Sequence, residues 1–302
     1  MKKLLFSFLF LFLIIYSCFF PEITLEASKN GLLIWFHQIL PALLPFTILS
    51  TILINSYFLE SFSGNANIIA IMLTMVCGFV FGFPIGAKLA SDFYQRSIIT
   101  DKQATILSIT ANNFSPMYVC GFALPALFST KEQENYNLIF ISYLLVYFIP
   151  LIIATIYLIV TYRHISPKTS KQKTTKFHLD MQVVDIGITH GFLSLIKLCG
   201  YIVLFSVFTQ IIISIIDSSN IYFKWLLENI EITNGIELLK EMKIKLQYRY
   251  IIFIQILSLG GISGLAQSAS FLKPSKLSVH KYIIGKVILS LLVSFIATIY
   301  VL

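Results

Sequence analysis

Residues 67–88 read NIIAIMLTMVCGFVFGFPIGAK, an apolar run that ends in a cluster of glycine and proline. The apolar part, 67–83, is close to the roughly 17–20 residues that an α-helix needs to cross the hydrocarbon core of a bilayer. Gly82, Pro84 and Gly86 then interrupt the helical pattern while the neighbouring residues are still apolar. Irregular backbone at membrane depth is tolerated only where protein or a water-filled cavity surrounds it. The stretch therefore predicts a broken membrane helix.

The composition of the whole chain agrees with this interpretation. Of the 302 residues, 57% are hydrophobic and only 12% are charged. Soluble globular proteins have roughly 45–50% apolar and about 25% charged residues. A surface so poor in charge cannot face water on all sides, which excludes a soluble enzyme, a nucleic-acid partner and a disordered tail. The net charge of +8 is interpreted as a bias of positive charge in cytoplasmic loops.

Seven further stretches are comparably apolar, so the chain has about eight apolar segments, each near the length of a span. The first follows Lys2 and Lys3 and is read as an uncleaved span with a cytoplasmic N-terminus, rather than as a signal peptide. The others are 32–54, 104–128, 138–160, 191–216, 250–272 and 282–302. This pattern predicts an all-α polytopic membrane protein, and several of its segments are interrupted by Gly, Pro or Asn.

A basic segment from Arg163 to Asp180 divides the chain into two halves of similar size. By the positive-inside rule this segment is cytoplasmic. If every earlier apolar stretch crossed the bilayer, the segment would lie outside, so one stretch is predicted to enter and leave on the same side. The best candidate is the polar and broken stretch 104–128. The predicted organisation is an N-terminal span and short loop (1–30), a first repeat (31–160), a basic cytoplasmic linker (161–190) and a second repeat (191–302).

The two halves resemble each other at corresponding positions. Gly82-Phe-Pro-Ile-Gly86 in the first half matches Gly260-Gly-Ile-Ser-Gly264 in the second. At the same offset Thr100 falls on Ser278, and each precedes a helical pattern as an N-cap residue does. The first repeat would begin outside and the second in the cytoplasm, which predicts inverted structural repeats with broken helices and a secondary transporter. The alternative is chance similarity between glycine-rich membrane helices.

Neither the cysteines nor the histidines form a known catalytic or metal-binding motif. The four cysteines contain no Cys-x-x-Cys pair, and the five histidines form no His-Glu-x-x-His motif. The glycine clusters lack the Lys-Ser/Thr step of a phosphate-binding loop. We therefore expect no enzyme activity, no metal and no cofactor.

At these motifs the sequence resembles the YlbJ (SpoVV) family of sporulation integral membrane proteins, which belong to the nucleoside-recognition, or Gate, domain group. The likeness runs in order from about residue 20 to the end of the chain. It is carried by Gly31-Leu-Leu-Ile-Trp35, Leu40-Pro-Ala-Leu-Leu-Pro-Phe46, Gly82-Phe-Pro-Ile-Gly-Ala-Lys88, Asn112-Asn-Phe-Ser-Pro116, Glu231-Ile-Thr-Asn-Gly235 and Gly260-Gly-Ile-Ser-Gly-Leu-Ala-Gln267.

The resemblance implies a fold similar to that of concentrative nucleoside transporters, with re-entrant hairpins and broken helices. It also implies an endospore-forming bacterium, and a role in moving dipicolinic acid out of the mother cell across the outer forespore membrane. The chain departs from the family at Phe83, where Tyr is frequent, and at Gly264-Leu265, where Val-His is common. The missing His puts in doubt a proton-linked role for that position.

Candidate substrate-binding residues lie at the breaks. Lys88 is an intramembrane cation, and such residues are functional candidates by default, although a Lys can also snorkel to the headgroups. The helix N-termini after Pro84 and Gly261 are predicted to offer free N–H groups to an anion, although the glycines are also typical of close helix packing. The full set is Gly82, Pro84, Gly86, Lys88, Asn112, Asn113, Ser115, Thr233, Gly261, Ser263 and Gln267.

Amide and hydroxyl groups in that set have two interpretations. Asn112, Asn113 and Ser115, with Ser263 and Gln267 in the second half, could donate to a carboxylate or form hydrogen bonds between helices. Glu231 is the candidate for a coupling proton or cation, and Thr233 for a substrate contact. Both lie in a charged stretch that could equally be a solvated interfacial helix.

Together these features predict a transporter of a small organic anion, with dipicolinic acid as the substrate that the resemblance implies. The expected partners are that anion, a coupling proton or cation and the lipid bilayer, with no nucleic acid; an oligomer is left open. The expected location is the cell membrane of a spore-forming bacterium, at the outer forespore membrane. The alternatives are a non-transporting membrane component of spore assembly and a nucleoside carrier.

Overall fold

The computed structural model describes the chain except for residues 1, 59–65, 129–135, 163–176, 216–226, 228, 233–234, 237–238, 240–241 and 243. All regular structure in the described residues is helical. The first-half helices are α1 (Lys2–Phe19), α2 (Pro21–Ile34), α3 (Leu40–Asn55), α4 (Ala66–Phe81), α5 (Ile85–Gln95), α6 (Asp101–Thr110), α7 (Pro116–Tyr118), α8 (Leu124–Leu127), α9 (Tyr136–Tyr143) and α10 (Ile149–Tyr162). The second-half helices are α11 (Met181–Ile215), α12 (Leu246–Leu259), α13 (Gly261–Leu272) and α14 (Val279–Val301).

Three short π-helical segments join neighbouring α-helices into longer continuous helices. They are Trp35–Ile39 between α2 and α3, Val119–Ala123 between α7 and α8, and Leu144–Phe148 between α9 and α10. The first of them precedes Pro41, and Pro45 lies inside α3. The interruption predicted for the stretch 32–54 is therefore a change of helix type and not a complete break.

Four of the described helical stretches are long and apolar enough to cross a membrane: Phe140–Val160, Met181–Ile215, Leu246–Leu272 and Val279–Val301. A fifth span is obtained if Phe10–Phe19 and Pro21–His37, which are bent by 109° at their junction, count as one. Leu43–Asn55 and Ala66–Phe81 are apolar but shorter. These helices confirm an all-α polytopic membrane protein. The number of crossings and the inverted repeats stay predictions.

α14 shows how one helix faces both protein and lipid. One face is buried, and the opposite face exposes large apolar side chains. The exposed side chains, at the helical spacing that places residues on one stripe, are Ile284, Ile288, Leu291, Phe295 and Ile299. An apolar stripe of this kind is unfavourable in water, and it fits contact with lipid.

The predicted breaks are present at both glycine clusters. α4 ends at Phe81, Gly82 has a φ of +74°, and α5 begins at Ile85. In the second half α12 ends at Leu259 and α13 begins at Gly261. Gly260 and Gly261 have φ values of +87° and +62°. Positive φ is accessible to glycine without steric penalty. The helical pattern also stops between α6 and α7, where Asn112 and Asn113 were predicted to break it.

The helix-turn-helix units α5–α6 and α13–α14 share several local features. The Thr100 hydroxyl accepts from the Gln103 N–H, and the Ser278 hydroxyl accepts from the Lys281 N–H, so both N-cap predictions are confirmed. Each turn also contains a non-glycine residue in the left-handed region, Ser97 at +57° and Lys276 at +64°. A main-chain hydrogen bond closes each turn, from the Ile98 N–H to the Phe93 carbonyl and from the Leu277 N–H to the Leu272 carbonyl.

The helices pack around three apolar clusters. α11 lies against α2 and α3, and α12 lies against α14. α5 and α6 form the centre of a second cluster with side chains such as Ile85, Leu89, Phe93 and Leu107, and Tyr282 of α14 joins it from the second half. The broken segments of the two halves thus meet inside the protein.

Candidate functional site

A cavity of about 440 Å³ lies where segments from both halves meet. From the first half it is bounded by residues next to the α4–α5 break and by the irregular segment that precedes α7. From the second half it is bounded by the α12–α13 break and by the segment around Glu231. Four of the predicted site residues line it: Ser115, Glu231, Ser263 and Gln267.

One wall of the cavity is a row of aromatic rings. The rings of Phe83 and Phe114 have centroids 5.1 Å apart with an interplanar angle of 32°, and those of Phe114 and Tyr118 are 4.7 Å apart at 27°. All three residues line the cavity. Offset and tilted rings at these separations attract each other beyond their apolar contact area, so the wall is well ordered and presents ring faces.

Polar side chains also line the cavity. Ser263 and Gln267 lie one turn apart on α13, and Glu231 comes from the segment before α12. Each is buried, with relative exposures of 4%, 8% and 5%. Hydroxyl and amide groups can donate hydrogen bonds to a carboxylate or accept them from a hydroxyl. The arrangement can hold a planar ligand with polar substituents.

The two helix N-termini at the breaks are occupied by protein acceptors in this conformation. The Ala87 N–H of α5 donates to Asn112 Oδ1 over 3.3 Å. In α13 the Ile262 N–H donates to the Asn229 carbonyl over 2.7 Å and the Ser263 N–H to the Ile230 carbonyl over 2.9 Å. The structure thus differs from the prediction of free N–H groups, because other segments of the chain cover both helix starts.

Asn112 lies behind the cavity in a buried cluster of polar groups. Its side-chain amide donates to Ser268 Oγ over 2.8 Å and to the Tyr282 hydroxyl over 3.1 Å. Both partners belong to the second half, so Asn112 forms the interhelical hydrogen bonds that were one of its two predicted roles. It is fully buried, and it joins α5, α13 and α14.

Lys286 completes this polar cluster, and the sequence analysis missed it. Its ammonium donates to the Asn112 carbonyl over 2.9 Å and to Asn113 Oδ1 over 3.1 Å. It also lies 5.0 Å from the centroid of the Phe83 ring. The signal was available, since Lys286 is a charged residue inside the apolar stretch 282–302, where charges are functional candidates.

Lys88, the cation that the sequence analysis did select, has a different environment. It is buried on α5, where its ammonium donates to Thr51 Oγ1 over 3.0 Å. It also forms an ion pair with Asp92, one turn later, at 3.4 Å. Its charge is therefore balanced by a carboxylate, and it does not line the 440 Å³ cavity.

The remaining predicted residues shape the backbone around the site. Gly82 lies against the main chain of Ser115, and a Cβ on Gly86 would overlap the Ala111 carbonyl oxygen. The Pro84 carbonyl accepts from the Lys88 N–H over 3.0 Å. Gly261 packs against Ile232. Close helix packing, one of the two predicted roles of the glycines, is thus present.

Asn113 does not line the 440 Å³ cavity. Asn113 donates to the Thr110 carbonyl over 2.7 Å and lines a second, mainly apolar cavity of about 250 Å³ with Tyr147. Thr233 lies outside the described residues. Within the part of the chain that the structure describes, no three His, Cys, Asp or Glu side chains converge on a metal position.

Comparison with known proteins supplies one relative. The chain is 25% identical, over 95% of its length and 80% of the relative's, to the sporulation integral membrane protein YlbJ of Bacillus subtilis (strain 168). No protein-family model and no solved structure matches. Together with the apolar helices, this similarity identifies the chain as an integral membrane protein and supports a place for it in sporulation.

Proposed function

We propose that the protein is a carrier of a small organic anion, and that the anion is dipicolinic acid, which it moves out of the mother cell across the outer forespore membrane during sporulation. The observation that supports this proposal is the 440 Å³ cavity, which has an aromatic wall, a polar wall and a broken helix from each half. Its volume is within the roughly 300–1,000 Å³ that is usual for small-molecule sites. Broken helices around a shared site are the arrangement of alternating-access carriers.

Dipicolinate suits both walls of the cavity. It is a planar aromatic ring, and such rings stack in an offset manner on aromatic side chains. Phe83 and Phe114 offer ring faces at the cavity surface. The two carboxylates of the ligand accept hydrogen bonds, which the Ser263 hydroxyl and the Gln267 amide of the same cavity can donate.

Glu231 is the candidate site for a coupling proton or cation. It lines the same cavity and is buried. A carboxylate beside a bound dianion repels it, and this repulsion is strong where water is excluded. A proton or a cation on Glu231 would remove the repulsion. Coupling of the anion to a proton or cation is therefore part of the proposal.

The two alternatives remain distinguishable by experiment. The aromatic wall and the hydroxyl and amide groups could also hold a nucleoside, whose base is planar and whose sugar carries hydroxyls. A non-transporting component of spore assembly would have no need for a small-molecule site bounded by both halves. The three functions predict different fluxes across a membrane.

The test is uptake of radiolabelled dipicolinate into liposomes that contain the purified full-length protein. We expect saturable flux that a proton or sodium gradient accelerates and that excess unlabelled nucleoside leaves unchanged. The double variant Ser263→Ala/Gln267→Ala removes donors from the polar wall and should lose most of the flux. Ser194→Ala is the matched control, because its hydroxyl donates only to the His190 carbonyl in its own helix.

Two results would contradict this proposal. Flux no greater than that of empty liposomes under each gradient, with protein that is monodisperse and folded, would favour a non-transporting component. Competition by nucleoside and saturable nucleoside uptake would favour the nucleoside carrier.

A further inference from the structure

Lys286 is a buried cation whose recorded partners carry no negative charge. It is fully excluded from solvent. Its partners are the main-chain oxygen of Asn112, the amide oxygen of Asn113 and the ring of Phe83. None of the ion pairs recorded among the described residues includes it. Burying a charge without an opposite charge is unfavourable by several kcal/mol.

Lys88 shows that the fold can neutralise a buried lysine where it needs to. The carboxylate of Asp92 lies 3.4 Å from the Lys88 ammonium, at the i,i+4 spacing of a helix. Around Lys286 the described neighbours on α14 are apolar or uncharged, with Tyr282, Leu289 and Ser290 on the same buried face. The difference between the two lysines indicates a counter-charge for Lys286 that the described residues do not supply.

The position of Lys286 relative to the cavity supports an external anion. Phe83 has the ammonium 5.0 Å from its ring centroid, and Phe83 also lines the 440 Å³ cavity. One aromatic ring therefore lies between the cavity and the cation. On the other side, Asn113 contacts the ammonium and lines the second cavity of about 250 Å³. Lys286 thus lies between these two cavities.

The hydrogen-bonding capacity of the ammonium leaves room for a ligand. An ammonium group has three N–H donors. Two are used by Asn112 and Asn113. The aromatic ring of Phe83 carries no net charge, so it cannot neutralise the ammonium, whereas a carboxylate on the third N–H donor would.

We infer that Lys286 is the counter-charge of the transported anion, and that Phe83 is the gate that separates it from the cavity. This inference rests on the proposed function, since it assigns a charged contact to the same ligand. In the structure the ring covers the ammonium. When the ring moves aside, one carboxylate of the ligand accepts a hydrogen bond from the third ammonium N–H, while the ligand ring stays on Phe114.

The test is binding to the detergent-purified full-length protein, measured by isothermal titration calorimetry with two ligands. They are pyridine-2,6-dicarboxylate and its neutral diamide, which have the same ring but differ in charge. For Lys286→Gln we expect at least about tenfold weaker binding of the dianion, since an ionic hydrogen bond is worth more than the 1.4 kcal/mol of a tenfold change. Binding of the diamide should be unchanged, and Lys286→Arg should retain a preference for the dianion.

Lys281→Gln is the matched control. It removes the same charge from the same helix, but its side chain is 64% exposed and its ammonium lies 3.9 Å from Asp101 at the surface. Binding of both ligands should stay at the wild-type value. Dianion binding that falls equally in Lys281→Gln and Lys286→Gln would overturn the inference, because only the net charge would then matter.

The outcomes separate this inference from the proposed function. Wild-type binding of the dianion that survives in Lys286→Gln overturns the role of Lys286 and leaves the carrier proposal standing. A wild type that binds neither ligand and shows no flux overturns both. If Lys286→Gln aggregates, the variant Phe83→Leu tests the inference instead. It should strengthen binding of the dianion relative to the diamide. An equal change for both ligands overturns the inference.

Discussion

The ammonium of Lys286 and the main-chain carbonyl oxygen of Asn112 lie 2.9 Å apart, although the two residues are 174 positions apart in the chain. The side chain of Asn112 adds hydrogen bonds to Ala87, Ser268 and Tyr282. One residue therefore connects the start of α5 with α13 and α14. A carrier that moves one half against the other has to break these bonds or to move these segments together.

Lys286→Met should lower the stability of the folded protein less than Asn112→Ala does. The variant leaves the Asn112 carbonyl and Asn113 Oδ1 without the ammonium donor, but it also removes a buried charge that has no recorded counter-charge. Asn112→Ala should be destabilising by about 1–3 kcal/mol, because it leaves buried donors and acceptors without partners. The measurement is thermal unfolding of each detergent-purified variant.

Asn112→Ala is the control for Lys286→Met, because both variants change the same buried polar cluster. If Lys286→Met unfolds at a clearly lower temperature than Asn112→Ala, the lysine contributes to folding and its lack of a counter-charge has no functional meaning. A stability that is retained while anion binding is lost is the usual signature of a group kept for function.

The helix breaks and N-caps could be predicted because their causes are local. Glycine at positive φ explains Gly82 and Gly260, and a hydroxyl that accepts from a main-chain N–H explains Thr100 and Ser278. These features depend on a few consecutive residues. A single sequence contains that information.

The partners of the buried groups could not be predicted in the same way. Lys88 and Lys286 are both lysines in apolar surroundings, and only the fold shows that one lies beside Asp92 and the other beside Asn112. The start of α13 was expected to be free, but the carbonyl of Asn229, from a segment distant in sequence, occupies it. Such contacts follow from tertiary packing, which local patterns do not specify.

Gly86→Ala should weaken the packing of α5, whereas Gly200→Ala should be neutral or stabilising. A Cβ on Gly86 would overlap the main-chain carbonyl of Ala111, so backbone has to move. A Cβ on Gly200 in α11 meets no atom within 4 Å. In a helix Ala is preferred to Gly by roughly 0.5–1 kcal/mol, which leads us to expect a small gain at Gly200.

The unfolding temperatures of the two glycine variants provide the measurement. We expect Gly86→Ala to unfold at least several degrees below Gly200→Ala. Equal unfolding temperatures would mean that α5 and the segment around Ala111 do not approach as closely as described.

The N-terminus of α11 should lose stability in acid. The Asp180 carboxylate accepts from the Val183 N–H over 2.9 Å and lies 2.8 Å from His178 Nε2. The Val183 N–H first and His178 second lower the pKa of Asp180 below its usual value. An unfolded Asp has a pKa of about 3.9, so the unfolded state binds the proton more readily. The contribution to stability is therefore present above about pH 4 and is lost as pH falls through the lower, folded pKa.

Thermal unfolding of the wild type and of Asp180→Ala between pH 3 and pH 6, a range around the pKa of about 3.9 of an unperturbed Asp, checks this dependence. The difference between them should be constant at the higher pH values and should shrink toward zero in acid. Asp185→Ala, which removes an exposed carboxylate from the same helix, is the matched control. A difference that stays constant down to the lowest pH would show that the stabilisation by Asp180 does not depend on its ionised carboxylate.

The aromatic wall should select for ligands with a ring. Phe114 lies between Phe83 and Tyr118, with centroid distances of 5.1 Å and 4.7 Å, and it lines the cavity. An aromatic pair is worth about 0.5–1.5 kcal/mol beyond its contact area. Phe114→Leu keeps the wall apolar but removes the ring face. It should therefore weaken dipicolinate binding roughly two- to tenfold.

Glutarate provides the comparison, because it carries two carboxylates and no ring. Its binding should be the same in Phe114→Leu and in the wild type, since the polar wall and the charge of the site are unchanged. Phe295→Leu makes the same substitution on the exposed face of α14 and should affect neither ligand. A loss of affinity that is equal for dipicolinate and glutarate would mean that Phe114 supports the shape of the cavity and does not stack on the ligand, and the ring of dipicolinate would then have to bind elsewhere.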